Sequence, residues 1–149
     1  MRVLFATALF AGALALPACN RSPGEPQATV RDAVVTLPAV PGRPGAAYFT
    51  IETNNDPTRL TGVSSARAGR IELHETRGGS MAPIEPGALT FAPDAPLVFA
   101  PGGRHAMLFD LNPSLRPGDR IALTFRFEPV PPVTVEAEVR APGDVHSGH

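Results

Sequence analysis

A chain of 149 residues with formal charge −1, thirteen basic residues and no lysine among them has room for one sizeable domain and lacks the basic clusters that hold nucleic acid. Its single cysteine, Cys19, excludes an internal disulfide and any metal site built from several thiolates of one chain. Eighteen prolines and fourteen glycines leave no long window for an amphipathic helix.

Residues 1–18, MRVLFATALFAGALALPA, carry one basic residue, Arg2, then an apolar run and small residues. The run is too short for a stable membrane span and has the layout of a secretion signal. Leu16-Pro17-Ala18-Cys19 resembles a bacterial lipobox, in which the cysteine is acylated and becomes the first mature residue. Residues 19–28 are rich in Pro, Gly and polar groups and read as a tether behind a lipidated Cys19. Residues 29–141 are of the usual size for one compact domain. Residues 142–149, with His146 and His149, read as a flexible tail.

Within the domain, short alternating segments between turn residues predict an all-β fold. The candidate strands are residues 31–37, 46–52, 59–64, 70–76, 88–91, 97–99, 105–111, 120–127 and 133–139. The last two alternate most clearly. Ile121, Leu123, Phe125 and Phe127 share one face of their strand; Val133, Val135, Ala137 and Val139 share one face of the next, and the short break predicts a hairpin. Asn54-Asn55-Asp56-Pro57, Pro101-Gly102-Gly103 and Arg116-Pro117-Gly118-Asp119 are strong turn signals.

Four side chains carry chemistry. His105 and Met107 stand two apart on a predicted strand, so both point to one face. His74 lies at or near the end of the strand predicted over residues 70–76, and Met81 follows the Gly78-Gly79-Ser80 turn. Imidazole with thioether is a soft donor set suited to Cu(I), whereas Ca²⁺ and Mg²⁺ want oxygen and structural Zn²⁺ is usually bound by thiolate. Met81 has a competing reading as a flexible core filler, Met107 as core beside Leu108 and Phe109, and His74 as an ordinary surface histidine. His146 and His149 are candidate auxiliary metal ligands, with a solvated chain end as the alternative.

The blocks AAYFTIETNNDPTRLTGVSSARAGRIELHETRGGSMAPI and APGGRHAMLFDLNPSLRPGDRIALTFRFE resemble the periplasmic copper chaperone family PCu(A)C, whose hallmark is a His, a Met and a later His-x-Met after a Pro-Gly-Gly turn. The resemblance implies a cupredoxin-like Greek-key β-sandwich in a single domain. It further implies one Cu(I) held by His74, Met81, His105 and Met107, and delivery of copper toward the CuA centre of cytochrome c oxidase, through its subunit II or an Sco-type protein. Six residues separate His74 from Met81, fewer than is usual in the family. Met81 is matched through its Met-Ala-Pro-Ile context, and losing it would leave three protein ligands.

Rival classes are disfavoured by chemistry. A blue-copper electron carrier requires a Cys ligand beside two His, and the only cysteine is assigned to the lipobox. No serine stands in a nucleophile-elbow context and neither histidine has an evident catalytic partner, so no enzymatic activity is expected. A copper-buffering or resistance lipoprotein, and a structural or interaction lipoprotein with no metal role, remain as alternatives. The expected setting is the periplasm, on a bacterial membrane through the lipid.

Overall fold

The computed structural model describes residues 24–144, so the signal segment, Cys19, His146 and His149 lie outside the described residues. Ten strands follow one another: β1 (Ala28–Thr36), β2 (Gly45–Thr53), β3 (Thr58–Ser64), β4 (Arg70–Arg77), β5 (Ser80–Ile84), β6 (Leu89–Phe91), β7 (Leu97–Phe99), β8 (Arg104–Phe109), β9 (Arg120–Glu128) and β10 (Val133–Arg140). The all-β class is as expected.

Hydrogen bonding links them in the order β5-β4-β8-β2-β1-β10-β9-β3-β6, with β7 pairing β2 beyond the end of β8. Among the described strands only β1 and β10 pair in parallel. The sheet curls round its own apolar face: Phe49 on β2 meets Phe125 on β9 edge-on at 4.8 Å although two strands separate β2 from β9 along the ladder. Strands β3 and β4, from opposite ends of the order, also touch. The result is a cupredoxin-like β fold in which two layers of one sheet face each other.

Alternation explains which face is filled. Ile121, Leu123, Phe125 and Phe127 are buried on β9, and the predicted hairpin with β10 forms, Val133 opposite Phe125 and Ala137 opposite Ile121. On β8 the core residues are Ala106 and Leu108, and on β4 Leu73, with Ile71 packed against it. The period of two therefore turns Glu72, His74 and Thr76, and with them His105, Met107 and Phe109, outward.

Most predicted boundaries fall within one residue of those observed, and three departures are larger. β1 starts at Ala28 and carries a bulge between Arg31 and Val34, where Asp32 takes φ 55°; the extra residue breaks the alternation on which the sequence reading relies. β8 is Arg104–Phe109, because Asp110, at φ 52°, ends it. β5 has no counterpart among the predicted strands.

Gly45 lies where three strands crowd. A Cβ there would sit 2.8 Å from the Thr36 carbonyl oxygen and 2.6 Å from Leu111 Cδ1. The backbone oxygen cannot swing away, so Gly45→Ala should cost about 1–3 kcal/mol as overpacking. Denaturant unfolding checks this, and a midpoint equal to wild type would contradict the assignment.

Candidate metal centre

Two strand pairings, one of them a tight hairpin, set this centre. Gly78 and Gly79 take φ 56° and 82°, the positive values that a tight two-residue β-hairpin loop needs and that glycine adopts freely. That loop fixes the β4–β5 register at Arg77 opposite Ser80, Thr76 opposite Met81 and His74 opposite Pro83. Paired residues share a face, so Met81 stands on the outward side with His74. On the other flank of β4, His74 pairs directly with His105 and Glu72 with Met107. Met107 in turn faces Ala46 on β2.

All four predicted ligands thus occupy one outward patch across β5, β4 and β8. His105 Nε2 lies 3.1 Å from Met81 Sδ, and the His74 and His105 rings stack with centroids 5.9 Å apart. Met81 is 54% exposed, so it fills no core. Met107 is half-buried beside the small Ala46. No three His, Cys, Asp or Glu side chains among the described residues group as metal ligands; the patch adds the thioethers of Met81 and Met107 to its two imidazoles.

The imidazoles are set by their neighbours. His105 Nδ1–H donates to the Gly103 carbonyl at 3.1 Å, which leaves Nε2 of the neutral ring with its lone pair. A nitrogen lone pair and a thioether lone pair then face each other with no hydrogen between them. A soft cation satisfies both, and this pairing fits Cu(I) better than any hard ion.

His74 is held differently. Its Nε2 lies 3.3 Å from Glu72 Oε2, and its side chain is only 14% exposed. Its Nδ1 is buried with no hydrogen-bond partner, and an unsatisfied buried nitrogen is costly unless something occupies it. Glu72 is itself gripped by Arg70, whose Nε is 2.8 Å from Oε1 and whose guanidinium lies over the Phe109 ring at 3.9 Å. The Arg70 hydrogen bond, followed by that of His74, holds the Glu72 carboxyl below the usual carboxylate range. The chain guanidinium, carboxylate, imidazole therefore keeps His74 oriented while Arg70 balances the carboxylate's charge.

Glu72, the Gly103 carbonyl and Tyr48 are not among the site groups expected from the sequence. Glu72 was within reach of the period-two rule, being two residues before His74 on the same strand. The Gly103 contact uses a backbone carbonyl and leaves no residue-type signal. Tyr48 follows Ala47, which pairs with Ala106, and shares the outward face. Burial pushes its phenol above the ordinary value, so it stays neutral.

The fold and this arrangement have known counterparts. The copper-bound PCuAC domain from PmoF2 is 26% identical, with a TM-score of 0.65 over 77% of this chain and 93% of that one. The apo PmoF2 PCuAC domain gives 0.69 at 26% identity, over 80% and 94%. The solution structure of CuI-DR1885 from Deinococcus radiodurans is 28% identical, with a TM-score of 0.58 over 72% of this chain and 74% of that one. Among curated proteins, the uncharacterized protein RP573 of Rickettsia prowazekii (strain Madrid E) is 35% identical over 88 residues, 56% of this chain; the chain spans about half the length of that relative, 48%. The family model "Putative lipoprotein LpqE-like" matches residues 28–139, and the chain accordingly belongs to the LpqE-like family, of PCuAC type.

Proposed function

We propose that this chain is a Cu(I)-binding metallochaperone of the bacterial periplasm, carrying one copper ion on His74, Met81, His105 and Met107. The observation that carries the reading is the 3.1 Å approach of His105 Nε2 to Met81 Sδ, on the outward patch that also holds His74 and Met107. Its similarity to a copper-bound domain supports copper as the cargo. The patch is shallow and has no thiolate. Neutral thioethers and imidazoles on an open sheet face release the ion ligand by ligand, which suits handover rather than storage.

A metal-bound imidazole has to be unprotonated at the coordinating nitrogen, so Cu(I) should be held less tightly as the solution is acidified. An anaerobic Cu(I) titration against a chromophoric chelator tests the assignment: one equivalent is expected, with no intense blue absorbance when Cu(II) is added, since no thiolate is present for charge transfer. Absence of a stoichiometric Cu(I) equivalent would leave a β lipoprotein without a metal role.

Delivery toward the CuA centre of cytochrome c oxidase, directly to subunit II or through an Sco-type protein, is the route we propose. The anchor is Cys19. Cys19→Ala should move the protein from the membrane to the soluble periplasmic fraction with Cu(I) affinity unchanged, because each buried acyl CH₂ contributes ~0.8 kcal/mol and several chains hold far more firmly than one. Wild-type protein recovered wholly soluble would remove the lipid from the assignment.

A further inference from the structure

His74 and His105 stand opposite each other across β4 and β8, yet each ring is tied by a different nitrogen. His105 gives its Nδ1–H to the Gly103 carbonyl at 3.1 Å, and a carbonyl only accepts, so its bare nitrogen is Nε2. In His74 the tied nitrogen is Nε2, 3.3 Å from Glu72 Oε2. An ionised carboxylate also only accepts, so Nε2 carries the hydrogen and Nδ1 keeps the lone pair. That Nδ1 is buried and has no hydrogen-bond partner among the described residues. The two imidazoles therefore offer opposite nitrogens.

Glu72 is held to this contact from behind. Arg70 Nε donates to Oε1 at 2.8 Å, and its guanidinium lies over the Phe109 ring at 3.9 Å. Arg70, Glu72 and His74 occupy alternate positions of β4 and so share one face. Oε1 is thereby committed to the guanidinium and Oε2 to the imidazole. Glu72 also stands opposite Met107, at the border of the ligand patch, but a hard carboxylate oxygen is a poor partner for Cu(I). Its contribution goes to the ring and not to the ion.

We infer that Glu72 is a positioning residue for the cargo: by accepting from His74 Nε2–H it makes Nδ1 the nitrogen with which His74 takes copper, while His105 takes it with Nε2. The inference rests on the four-ligand reading for the ion and on hydrogen-bond geometry for the role of Glu72. A buried lone pair without a donor is an unmet cost until a cation meets it. An imidazole whose other N–H is given to a carboxylate is fixed in tautomer and orientation and made a more basic ligand.

The test uses Ag(I), a diamagnetic soft ion in place of Cu(I), and reads the imidazole nitrogens of the full chain in long-range proton–nitrogen correlation spectra at a pH where both rings are neutral. Before the ion is added, the bare nitrogen should be Nδ1 in His74 and Nε2 in His105. One equivalent of Ag(I) should shift those two resonances far more than the protonated nitrogen of either ring. Glu72→Gln keeps the shape and reverses the polarity: the Arg70 guanidinium, which only donates, claims the amide oxygen and turns the amide NH₂ toward Nε2. The hydrogen of His74 should then move to Nδ1 while that of His105 stays, and Ag(I) affinity should fall about ten- to a hundredfold. A shift centred on His74 Nε2 in the wild type overturns the inference, as does an unmoved His74 hydrogen in Glu72→Gln. Failure to take up Ag(I) would instead remove the four-ligand reading, and the tautomers of the two chains before silver is added would still decide what Glu72 does.

Discussion

His105→Ala should weaken Cu(I) binding by at least a hundredfold, about 2.8 kcal/mol at ~1.4 kcal/mol per tenfold, the largest loss expected from any single substitution in the patch. The ring is oriented in advance by the Gly103 carbonyl and stands against Met81 Sδ, so its removal takes away one proposed ligand and the partner of a second. Met81→Leu is the milder companion. It removes only the sulfur from a side chain that is more than half exposed, and should leave the stability of the metal-free protein near wild type while lowering Cu(I) affinity tenfold or more. Met107→Leu should lose at least as much, because the strand spacing puts its side chain on the same face as His105. Competition titrations with parallel thermal melts decide the matter. Wild-type affinity in Met81→Leu with loss in Met107→Leu would reduce the site to His74, His105 and Met107.

Phe125→Ala should destabilise the fold by about 3–5 kcal/mol, the usual cost of deleting a large aromatic ring from a core. Phe125 is fully buried on β9 and meets Phe49 on β2 edge-on, while Phe49 stacks on Phe99 of β7 at 4.5 Å. These three rings join the two layers of the curled sheet. A loss of this size is a large share of the margin of a domain this small. Urea unfolding of the metal-free protein measures it; a loss under about 1 kcal/mol would mean that the layers are held chiefly elsewhere. Because Phe99 immediately precedes the Ala100-to-Gly103 turn that leads to His105, the same variant should also bind Cu(I) less tightly.

Local periodicity made β9 and β10 legible, since both run regularly between turns and bury one face. It also placed His105 and Met107 side by side, because that relation needs only the alternation of a single strand. It did not reveal β5. Ser80–Ile84 has every residue at least partly exposed, contains Pro83, and pairs with β4 alone; an edge strand tolerates proline and shows no buried alternation. The meeting of the two halves of the site was equally out of reach. It depends on β4 lying beside β8 in one particular register, His74 opposite His105, and nothing local encodes a pairing across so long a stretch of chain. The family resemblance supplied the four residues as a set, while the contacts of Glu72 and the Gly103 carbonyl emerged only from the geometry.

The Gly103 carbonyl has one more consequence. The group that decides which nitrogen of His105 is free belongs to the peptide backbone, so no change of side chain can delete it. Substitution at Gly103 itself meets nothing closer than the Ala100 oxygen at 3.6 Å and leaves the carbonyl in place. What can disturb it is the shape of the turn, which rests on Gly102 at φ 81°, a conformation strained for other residues. The chemistry of the proposed ligand is thus inherited through a bend in the chain, and mutational drift can reach it chiefly by way of a residue that has no side chain at all.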